Sequence, residues 1–583
     1  MTATVQNLIA ARIVADNPVA SDYFAAIKDL VRERDAAATP EARQQWQEGI
    51  DEVYRLLKTE ILTNTAPPAT AVKFGTSGWR GLLGKDINVH SVAAVTAAIL
   101  TMYQDLDHDR ELRAAAGIDS FAELRERGCV LGFDNRFGGD LLALSAANVL
   151  AAAGVKVLYA GEATTGCLSA SVLRTRAAFS INLTPSHNPL EYGGFKYNAA
   201  DGGPAAAILT NRITEQARVI IARGRSPFLP EGLDLQRPLA DIPGLIREDA
   251  LKSWQEMVRT NQNRHGINYD ATIKAFAVSP QLVVAVDCVH GAARTCIRAL
   301  FEQQAPERLL ILRGEADVTF GGIAPEPSSA NMQPVMAALR GRPERLKLGA
   351  IIDPDGDRIR FTDGDVEISM NQFGAMAYHF LHEIKGKKGL VAKTVASSNL
   401  ANAIAGALGE EIFEPPVGFK EFKPVMGRAL VYFEESDGIS VIGHTPEKDA
   451  FIGLLLALDM VLTQGKNLGD LLQDIEQRYG AYYPDRDGVT VSQQGPQLLK
   501  TLARLERYRA GESVLVGGQP RKITEVIAID GRKMIFTDNS WLMIRPSGTE
   551  PKVRFYVEAR NREDTAALVA AAKSMLAEIG LLT

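Results

Sequence analysis

Short apolar runs alternate with helix-like segments along most of this 583-residue chain, and this alternation constrains the fold more than any other feature. Residues 130–133, 155–160 and 282–287 have the composition of buried strands, and residues 141–153 and 291–302 that of helices. Strands that alternate with helices form βα units and mainly parallel sheets. The pattern therefore predicts the α/β class with layered sheets.

The length suggests about four domains, at roughly 150 residues each. A capped helix start at Thr39, Pro40 and Glu41 and a helical apolar stripe after it predict a helical N-terminus. Hairpin-like strands followed by a closing helix predict an α+β domain at the other end. The predicted divisions are a helical N-terminal extension (1–70), three mixed α/β domains (71–245, 246–365 and 366–485) and a C-terminal α+β domain (486–583).

Composition excludes several classes of partner. The net charge of −6 is small for this length, and clusters of Lys and Arg interleaved with aromatics are missing, so we predict no nucleic-acid partner. The most apolar run, residues 451–462, is too short to span a bilayer. The four Cys form no CxxC pair, and no signal peptide is visible at the N-terminus. These features predict a cytoplasmic protein without a membrane partner.

The stretch TPSHNP, residues 184–189, follows an apolar run that predicts a strand. Proline on both sides stiffens the turn, which would hold the hydroxyl of Ser186 out from a sheet edge as a nucleophile requires. The GGFK segment that follows lets backbone and the amine of Lys196 come close. The alternative is an ordinary turn, in which Ser186 and Asn188 bond their own backbone.

Asp353, Asp355 and Asp357 alternate in the loop DPDGDR. Three carboxylates this close repel one another unless a cation lies among them, and oxygen ligands select a hard cation such as Mg²⁺. An EF-hand is excluded because its sixth position is Arg358 and its twelfth is Gly364. An exposed acidic turn is the alternative. Arg358 favours the metal site, since an Arg beside the loop can hold a phosphate oxygen.

Two further loops carry weaker signals. RPSGT, residues 545–549, offers an Arg, two hydroxyls and glycine-adjacent amides for a dianion, and it is not a Walker loop. Glu434 and Ser436 offer the acceptor and donor that vicinal sugar hydroxyls need. Each could instead be a polar turn.

Taken together, these loops resemble the α-D-phosphohexomutase family. The segments FGTSGWRG, TPSHNP with GGFKYN, DPDGDR, FEESDG and RPSGTEP occur in the family's order, from about residue 72 to the C-terminus. GGFKYN and FEESDG are most similar to the phosphoglucomutases of bacteria. The resemblance implies four domains around a central cleft, each contributing one loop. Residues 1–65 have no counterpart that we can assign.

The resemblance also implies roles for matched positions. Ser186 would carry a phosphoryl group and, with Asp353, Asp355 and Asp357, would bind Mg²⁺. Lys196 would act as acid/base, while Arg80, Arg358 and His187 would flank the phosphoserine. The implied substrate-binding residues are Lys420, Glu434, Ser436, Arg545, Ser547, Gly548 and Thr549.

The implied reaction interconverts glucose 1-phosphate and glucose 6-phosphate, with glucose 1,6-bisphosphate as intermediate and activator. A phosphomannomutase or dual-specificity mutase, a glucose 1,6-bisphosphate synthase and a serine-dependent phosphatase remain alternatives, as does a non-catalytic sugar-phosphate binding protein. The expected partner is a hexose phosphate. The sequence leaves open whether the protein is a monomer or a homodimer.

Overall fold

The computed structural model describes residues 2–14, 17–75, 78–547 and 552–582. It begins with three helices: α1 (Ala3–Ala10), α2 (Tyr23–Ala36) and α3 (Pro40–Thr63). The hydroxyl of Thr39 caps α3 by accepting from the amide of Ala42. The predicted apolar stripe of α3 packs into the core of the first domain, so the extension is part of that domain's core.

The first domain is built on a six-stranded mixed sheet of order β1-β5-β4-β2-β3-β6. Its strands are β1 (Trp79–Leu82), β2 (Cys129–Phe133), β3 (Val157–Glu162), β4 (Phe179–Leu183), β5 (Tyr192–Asn198) and β6 (Leu245–Arg247). Its helices are α4 (Val89–Gln104), α5 (Arg110–Ala116), α6 (Phe121–Arg127), α7 (Gly139–Ala152), α8 (Thr165–Thr175) and α9 (Ala207–Arg223). Strand β4 runs parallel to β2 and antiparallel to β5, so a tight loop joins β4 to β5 at one sheet edge.

The second domain has a five-stranded sheet of order β11-β10-β9-β7-β8. Its strands are β7 (Leu282–Asp287), β8 (Leu309–Leu312), β9 (Leu346–Ile352), β10 (Ile359–Thr362) and β11 (Glu367–Ile368). Its helices are α10 (Ala250–His265), α11 (Tyr269–Val278), α12 (Ile297–Leu300) and α13 (Ser329–Arg340). The predicted strand at 282–287 is present, with all six residues buried.

The third domain has a four-stranded sheet of order β13-β12-β14-β15. Its strands are β12 (Val391–Lys393), β13 (Ile412–Phe413), β14 (Val431–Glu434) and β15 (Gly438–Val441). Its helices are α14 (Met370–His379), α15 (Leu400–Leu408), α16 (Ala450–Gln464) and α17 (Leu468–Tyr479).

The C-terminal domain differs from the others because its six strands pair only antiparallel, in the order β16-β21-β20-β19-β18-β17. Its strands are β16 (Tyr483–Thr490), β17 (Ser513–Val516), β18 (Gln519–Ile527), β19 (Arg532–Phe536), β20 (Trp541–Pro546) and β21 (Lys552–Ala559). Its helices are α18 (Gly495–Leu502) and α19 (Arg562–Glu578). The predicted fold class, three mixed α/β domains and a C-terminal α+β domain, is confirmed.

Within the described residues, no single helix is long and apolar enough to cross a membrane. Helices α16 and α17 reach that length and composition only as a pair, with a bend of 78° between them.

Candidate active site

Ser186 lies in the loop that joins β4 to β5, at the edge of the first sheet. Its backbone has φ 58°, a left-handed conformation that a serine adopts only when its surroundings hold it there. Its amide donates to the hydroxyl of Thr184 at 2.8 Å, and its own hydroxyl donates to Asp353 Oδ2 at 2.9 Å. The serine loop of the first domain and the acidic loop of the second domain therefore meet at this hydroxyl.

The three aspartates follow β9 and come together as the sequence predicted. Asp353, Asp355 and Asp357 are buried, and each has a carboxylate oxygen within 4.8 Å of those of the other two. Asp353 Oδ1 accepts from the amides of Asp357 and Arg358, both at 3.1 Å, which shapes the loop. Burial and the neighbouring carboxylates raise the pKa of Asp353 well above its usual range.

The donor set fits a hard divalent cation. The Oδ1 atoms of Asp355 and Asp357 are both buried without a hydrogen-bond partner, although each is a strong acceptor. A buried carboxylate oxygen without a partner is costly, and a cation between the two atoms would satisfy both. Oxygen ligands alone favour Mg²⁺ over softer metals.

Lys196 lies on β5 and reaches the acidic loop from the first domain. Its ammonium donates to Asp355 Oδ2 at 2.5 Å and to Asp357 Oδ2 at 2.8 Å. Burial lowers the pKa of Lys196, but the two carboxylates outweigh burial and raise it. The hydroxyl of Thr165 also donates to Asp355 Oδ2, at 2.7 Å, a contact that the sequence analysis did not anticipate.

Arg358, His187 and Arg80 surround the serine on the cleft side. A guanidinium nitrogen of Arg358 lies 3.5 Å from His187 Nε2, and the ring of His187 lies 3.3 Å from the hydroxyl of Ser186. Burial and the charges of Arg358 and Arg80 lower the pKa of His187 well below its usual range. Arg80 lies on β1, opposite Gly194 of β5, and lines the cleft.

The third domain contributes Glu434 and Ser436, which both line the cleft. Burial raises the pKa of Glu434 to about 7. Lys448, which the sequence analysis missed, lies 3.3 Å from Asp357 and 3.8 Å from Glu434 and so connects the acidic loop to the sugar loop. Lys448 is a single polar residue in the segment between β15 and α16, and its partners lie in other loops. Lys420 is not among the described residues that line the cleft. Its ammonium nitrogen lies 4.0 Å from Glu421 Oε1.

The C-terminal domain supplies a cationic patch. Arg545 on β20 pairs directly with Arg554 on β21, and both line the cleft together with Ser547 and Lys552. Guanidinium groups on one wall of a cleft suit a phosphate, because Arg can bind its oxygens in a bidentate way. Asp530 balances part of this charge, with an oxygen 3.0 Å from Arg545 Nε. Gly548 and Thr549, also predicted here, lie outside the described residues.

Many of these groups line one cavity of about 470 Å³, a size typical of small-molecule sites, while Ser186, Lys196 and the three aspartates are buried behind its lining. Its walls come from all four domains. The predicted residues that line it are Arg80, His187, Arg358, Glu434, Ser436, Arg545 and Ser547. His187 and Arg358, which lie beside Ser186 and Asp357, line this cavity together with Arg545 and Arg554 of the cationic patch. A phosphorylated molecule could therefore be held at two points.

Four domains with this arrangement define a phosphoryl-transfer enzyme of the phosphohexomutase class. Family models described as phosphoglucomutase/phosphomannomutase α/β/α domains I, II and III and C-terminal domain match residues 71–222, 248–366, 369–479 and 497–574. The chain belongs to the phosphoglucomutase/phosphomannomutase family, in the α-D-phosphohexomutase superfamily, which confirms the resemblance seen in the sequence. The models begin at residue 71, so the helical extension lies outside them.

Individual relatives carry both names. The chain is 27% identical to the phosphoglucomutase of Komagataeibacter xylinus over 537 residues, which covers 85% of this chain and 89% of the relative. It is 25% identical over 480 residues to the probable phosphomannomutase of Haemophilus influenzae, covering 77% and 92%. The fold is similar to that of a putative phosphomannomutase from Thermus thermophilus, with a TM-score of 0.67, 24% identity and coverage of 87% and 99%.

Proposed function

We propose that this phosphohexomutase interconverts glucose 1-phosphate and glucose 6-phosphate through a phosphoserine enzyme and a glucose 1,6-bisphosphate intermediate. The observation that carries the proposal is the hydroxyl of Ser186, which lies 2.9 Å from Asp353 Oδ2 and beside a cleft that His187 and Arg358 line together with Arg545 and Arg554. The family acts on hexose phosphates. Glucose is favoured by the FEESDG loop and by relatives named phosphoglucomutase.

In the first half-reaction, the bond between phosphorus and Ser186 Oγ breaks and a bond from phosphorus to the free sugar hydroxyl forms. Lys196 is the proposed acid/base group for the hydroxyl proton; to take that proton it must act as the neutral amine, so its ammonium must first give up a proton and leave the carboxylates of Asp355 and Asp357. Arg80 and Arg358, with His187 beside them, stabilise the charge of the transferring group. The second half-reaction returns the other phosphate of the bisphosphate to Ser186.

Asp353, Asp355 and Asp357, together with Ser186 or its phosphate, would hold Mg²⁺. Bound there, the metal would supply Lewis-acid stabilisation of charge on the phosphoryl oxygens. The metal dependence of the family and the two buried carboxylate oxygens without a hydrogen bond support this assignment.

The bisphosphate must present each phosphate to Ser186 in turn. Arg545 and Ser547, with Gly548 and Thr549, are proposed to hold the phosphate that does not react, and Glu434 and Ser436 to bind the sugar. A contact of Lys420 with the sugar stays a prediction from the resemblance. Glucose 1,6-bisphosphate would then also act as an activator, because it phosphorylates any enzyme that has lost its phosphate. The domain divisions and the cytoplasmic location stay predictions, and the choice between monomer and homodimer stays open.

Phosphomannomutase is the competing activity, because relatives carry that name as well. Initial rates on the 1-phosphates of glucose, mannose and N-acetylglucosamine, with Mg²⁺ and catalytic bisphosphate, decide between them. We expect the highest kcat/KM on glucose 1-phosphate and no turnover by Ser186→Ala. A higher kcat/KM on mannose 1-phosphate would overturn the sugar assignment but leave the mutase class standing.

A further inference from the structure

The helical extension, which lies outside the family models, packs against the loop that follows β2. This loop, residues 134–138, is called the support loop below. The ring of Tyr54 on α3 lies 4.5 Å from the ring of Phe137, centroid to centroid. A methyl group at Gly138 would lie only 3.1 Å from Ile61 of α3, so backbone and helix are in close contact. The extension therefore forms one wall of the support loop.

The support loop in turn holds the serine loop. Arg136 is buried, and its guanidinium donates to the carbonyl oxygens of Ser186 at 2.9 Å, Pro189 at 2.7 Å and Tyr192 at 3.3 Å, and also to that of Asn188. No other side-chain type offers enough donors in a fixed planar fork to reach four carbonyls at once.

A second contact supports the backbone of Ser186. Asp134 Oδ2 accepts the hydroxyl of Thr184 at 2.6 Å, and Thr184 accepts the amide of Ser186. Because Ser186 has a left-handed backbone, its position depends on such external support.

The second domain closes over the support loop from the other side. The guanidinium carbon of Arg136 lies 5.0 Å from the ring centroid of Phe320, which is fully buried. The extension reaches the same segment: the hydroxyl of Tyr54 is 3.5 Å from the carbonyl of Val318. The support loop is thus held between the extension, the second domain and the serine loop.

We propose that the helical extension acts as a brace for catalysis, holding Arg136 in the position from which it fixes the serine loop. The first part of the proposal is that the extension keeps the serine loop ordered, and this part does not depend on any reaction. The second part is that this order speeds phosphoryl transfer, and it rests on the function proposed above. Arg136 and Tyr54 are positioning residues, because both act through the loop that carries Ser186. Removing the ring of Tyr54 would free Phe137 and Arg136 to shift, and with them Ser186.

The test compares two tyrosines of the extension. Tyr54→Ala removes the contact with the support loop. Tyr23→Ala, on α2, is the matched control, because Tyr23 is 7% exposed and Tyr54 is 6% exposed. Tyr54→Phe keeps the ring, and Arg136→Lys keeps the charge but loses the planar fork. Every variant is measured as full-length protein at a temperature where circular dichroism shows it folded.

The first readout is hydrogen exchange of the peptide that contains residues 179–192. We expect faster exchange in Tyr54→Ala and Arg136→Lys than in Tyr23→Ala and Tyr54→Phe. This readout needs no sugar, so it decides the brace even if the proposed reaction is wrong. Equal exchange in Tyr54→Ala and Tyr23→Ala would overturn the brace.

The second readout is a single turnover of phosphoenzyme with glucose 1-phosphate, normalised to the phosphoserine content measured by intact mass. Partial unfolding lowers the amplitude, whereas a misplaced serine lowers the rate constant. Since a misplacement of about 1 Å costs roughly 100-fold, we expect about that loss in Arg136→Lys and about tenfold in Tyr54→Ala. An unchanged rate constant in both would overturn the catalytic role of the brace. No transfer by wild-type phosphoenzyme would instead refute the proposed function.

Discussion

Two buried carboxylate oxygens without a hydrogen bond, the Oδ1 atoms of Asp355 and Asp357, are the clearest residue-scale sign of a metal site. A ligand that binds only the folded state stabilises it, by about 2.7 kcal/mol when present at 100 times its Kd. We therefore expect chelator to abolish turnover, and Mg²⁺ both to restore turnover and to raise the thermal midpoint. Differential scanning fluorimetry with and without Mg²⁺ measures the second effect.

Asp355→Asn tests this assignment. The variant should lose both the turnover and the Mg²⁺-dependent rise in midpoint, because a ligand charge is gone. Asp365→Asn is the matched control, since the side chain of Asp365 is 87% exposed and should leave both responses intact. Full activity of wild-type protein in excess chelator would be incompatible with the metal site.

Lys448 is a candidate site residue that the structure shows and the resemblance did not imply. Lys420 is one that the resemblance implied and that is not among the described residues lining the cleft. Lys448 is buried between Asp357 and Glu434, while Lys420 lies outside the described lining of the cleft. A hydrogen bond to a charged group contributes about 1.5–3 kcal/mol, or roughly ten- to 150-fold in kcat/KM. We expect Lys448→Ala to lose activity in that range and Lys420→Ala to lose less. Steady-state kinetics on glucose 1-phosphate would contradict this ranking if Lys420→Ala were the more impaired variant.

At the scale of elements, strands were the most predictable part of the chain. Buried strands such as β7 were visible as apolar runs, and the loops at their ends contained the recognisable motifs. The predicted helix over residues 291–302 is wrong. The chain instead forms a short 3₁₀ turn, Ala292–Thr295, and then α12, Ile297–Leu300. The reason is tertiary: the amide of Ala292 donates to Pro354 in the acidic loop at 2.7 Å, which no local propensity could indicate.

Gly291, the residue before Ala292, also packs against the acidic loop. A Cβ there would lie 2.4 Å from Pro354 Cα, so Gly291→Ala should displace the acidic loop and weaken Mg²⁺ binding and turnover. Gly406→Ala is the control: it lies within α15 with nothing within 4 Å of its Cβ, and it should stabilise the protein by about 0.5–1 kcal/mol. Titration of activity with Mg²⁺ makes the comparison. An unaltered Mg²⁺ requirement in Gly291→Ala would disprove the coupling of this turn to the metal loop.

At the scale of the whole molecule, the C-terminal domain meets the third domain through a buried amine. Lys533 Nζ donates to the carbonyl of Val395 at 2.9 Å and lies 4.0 Å from the ring centroid of Trp541. Burial, with the nearby charge of Lys393, lowers the pKa of Lys533 from 10.5 to about 7. The neutral amine is therefore the form that this interface favours.

The lowered pKa of Lys533 makes the stability of the protein depend on pH. Between pH 7 and 10.5 the unfolded chain binds a proton that the folded chain does not, so Lys533 makes the free energy of unfolding rise with pH, by at most about 1.4 kcal/mol per unit. Lys533→Met should lose this contribution. Urea unfolding of both proteins at pH 7, 8 and 9 tests the difference. Parallel pH dependences in the two would mean that Lys533 does not titrate in this way.

The motif-bearing loops could be predicted because each carries its chemistry in a few consecutive residues. Arg136, Thr165 and Lys448 could not be predicted because each is a single polar residue whose partners lie in another loop or domain. The extension was recognisable as helical from its cap and stripe. Its contact with the support loop depends on how distant elements pack, which periodicity does not encode.

Phosphoryl transfer from Ser186 to a hexose phosphate is the central claim, and a single-turnover experiment tests it most directly. Enzyme phosphorylated with glucose 1,6-bisphosphate is freed of ligand, mixed with glucose 1-phosphate and Mg²⁺, and quenched over time. The account predicts that the peptide containing Ser186 loses one phosphate while an equal amount of glucose 1,6-bisphosphate forms. Release of inorganic phosphate instead, or a phosphate carried on any other residue, would contradict it.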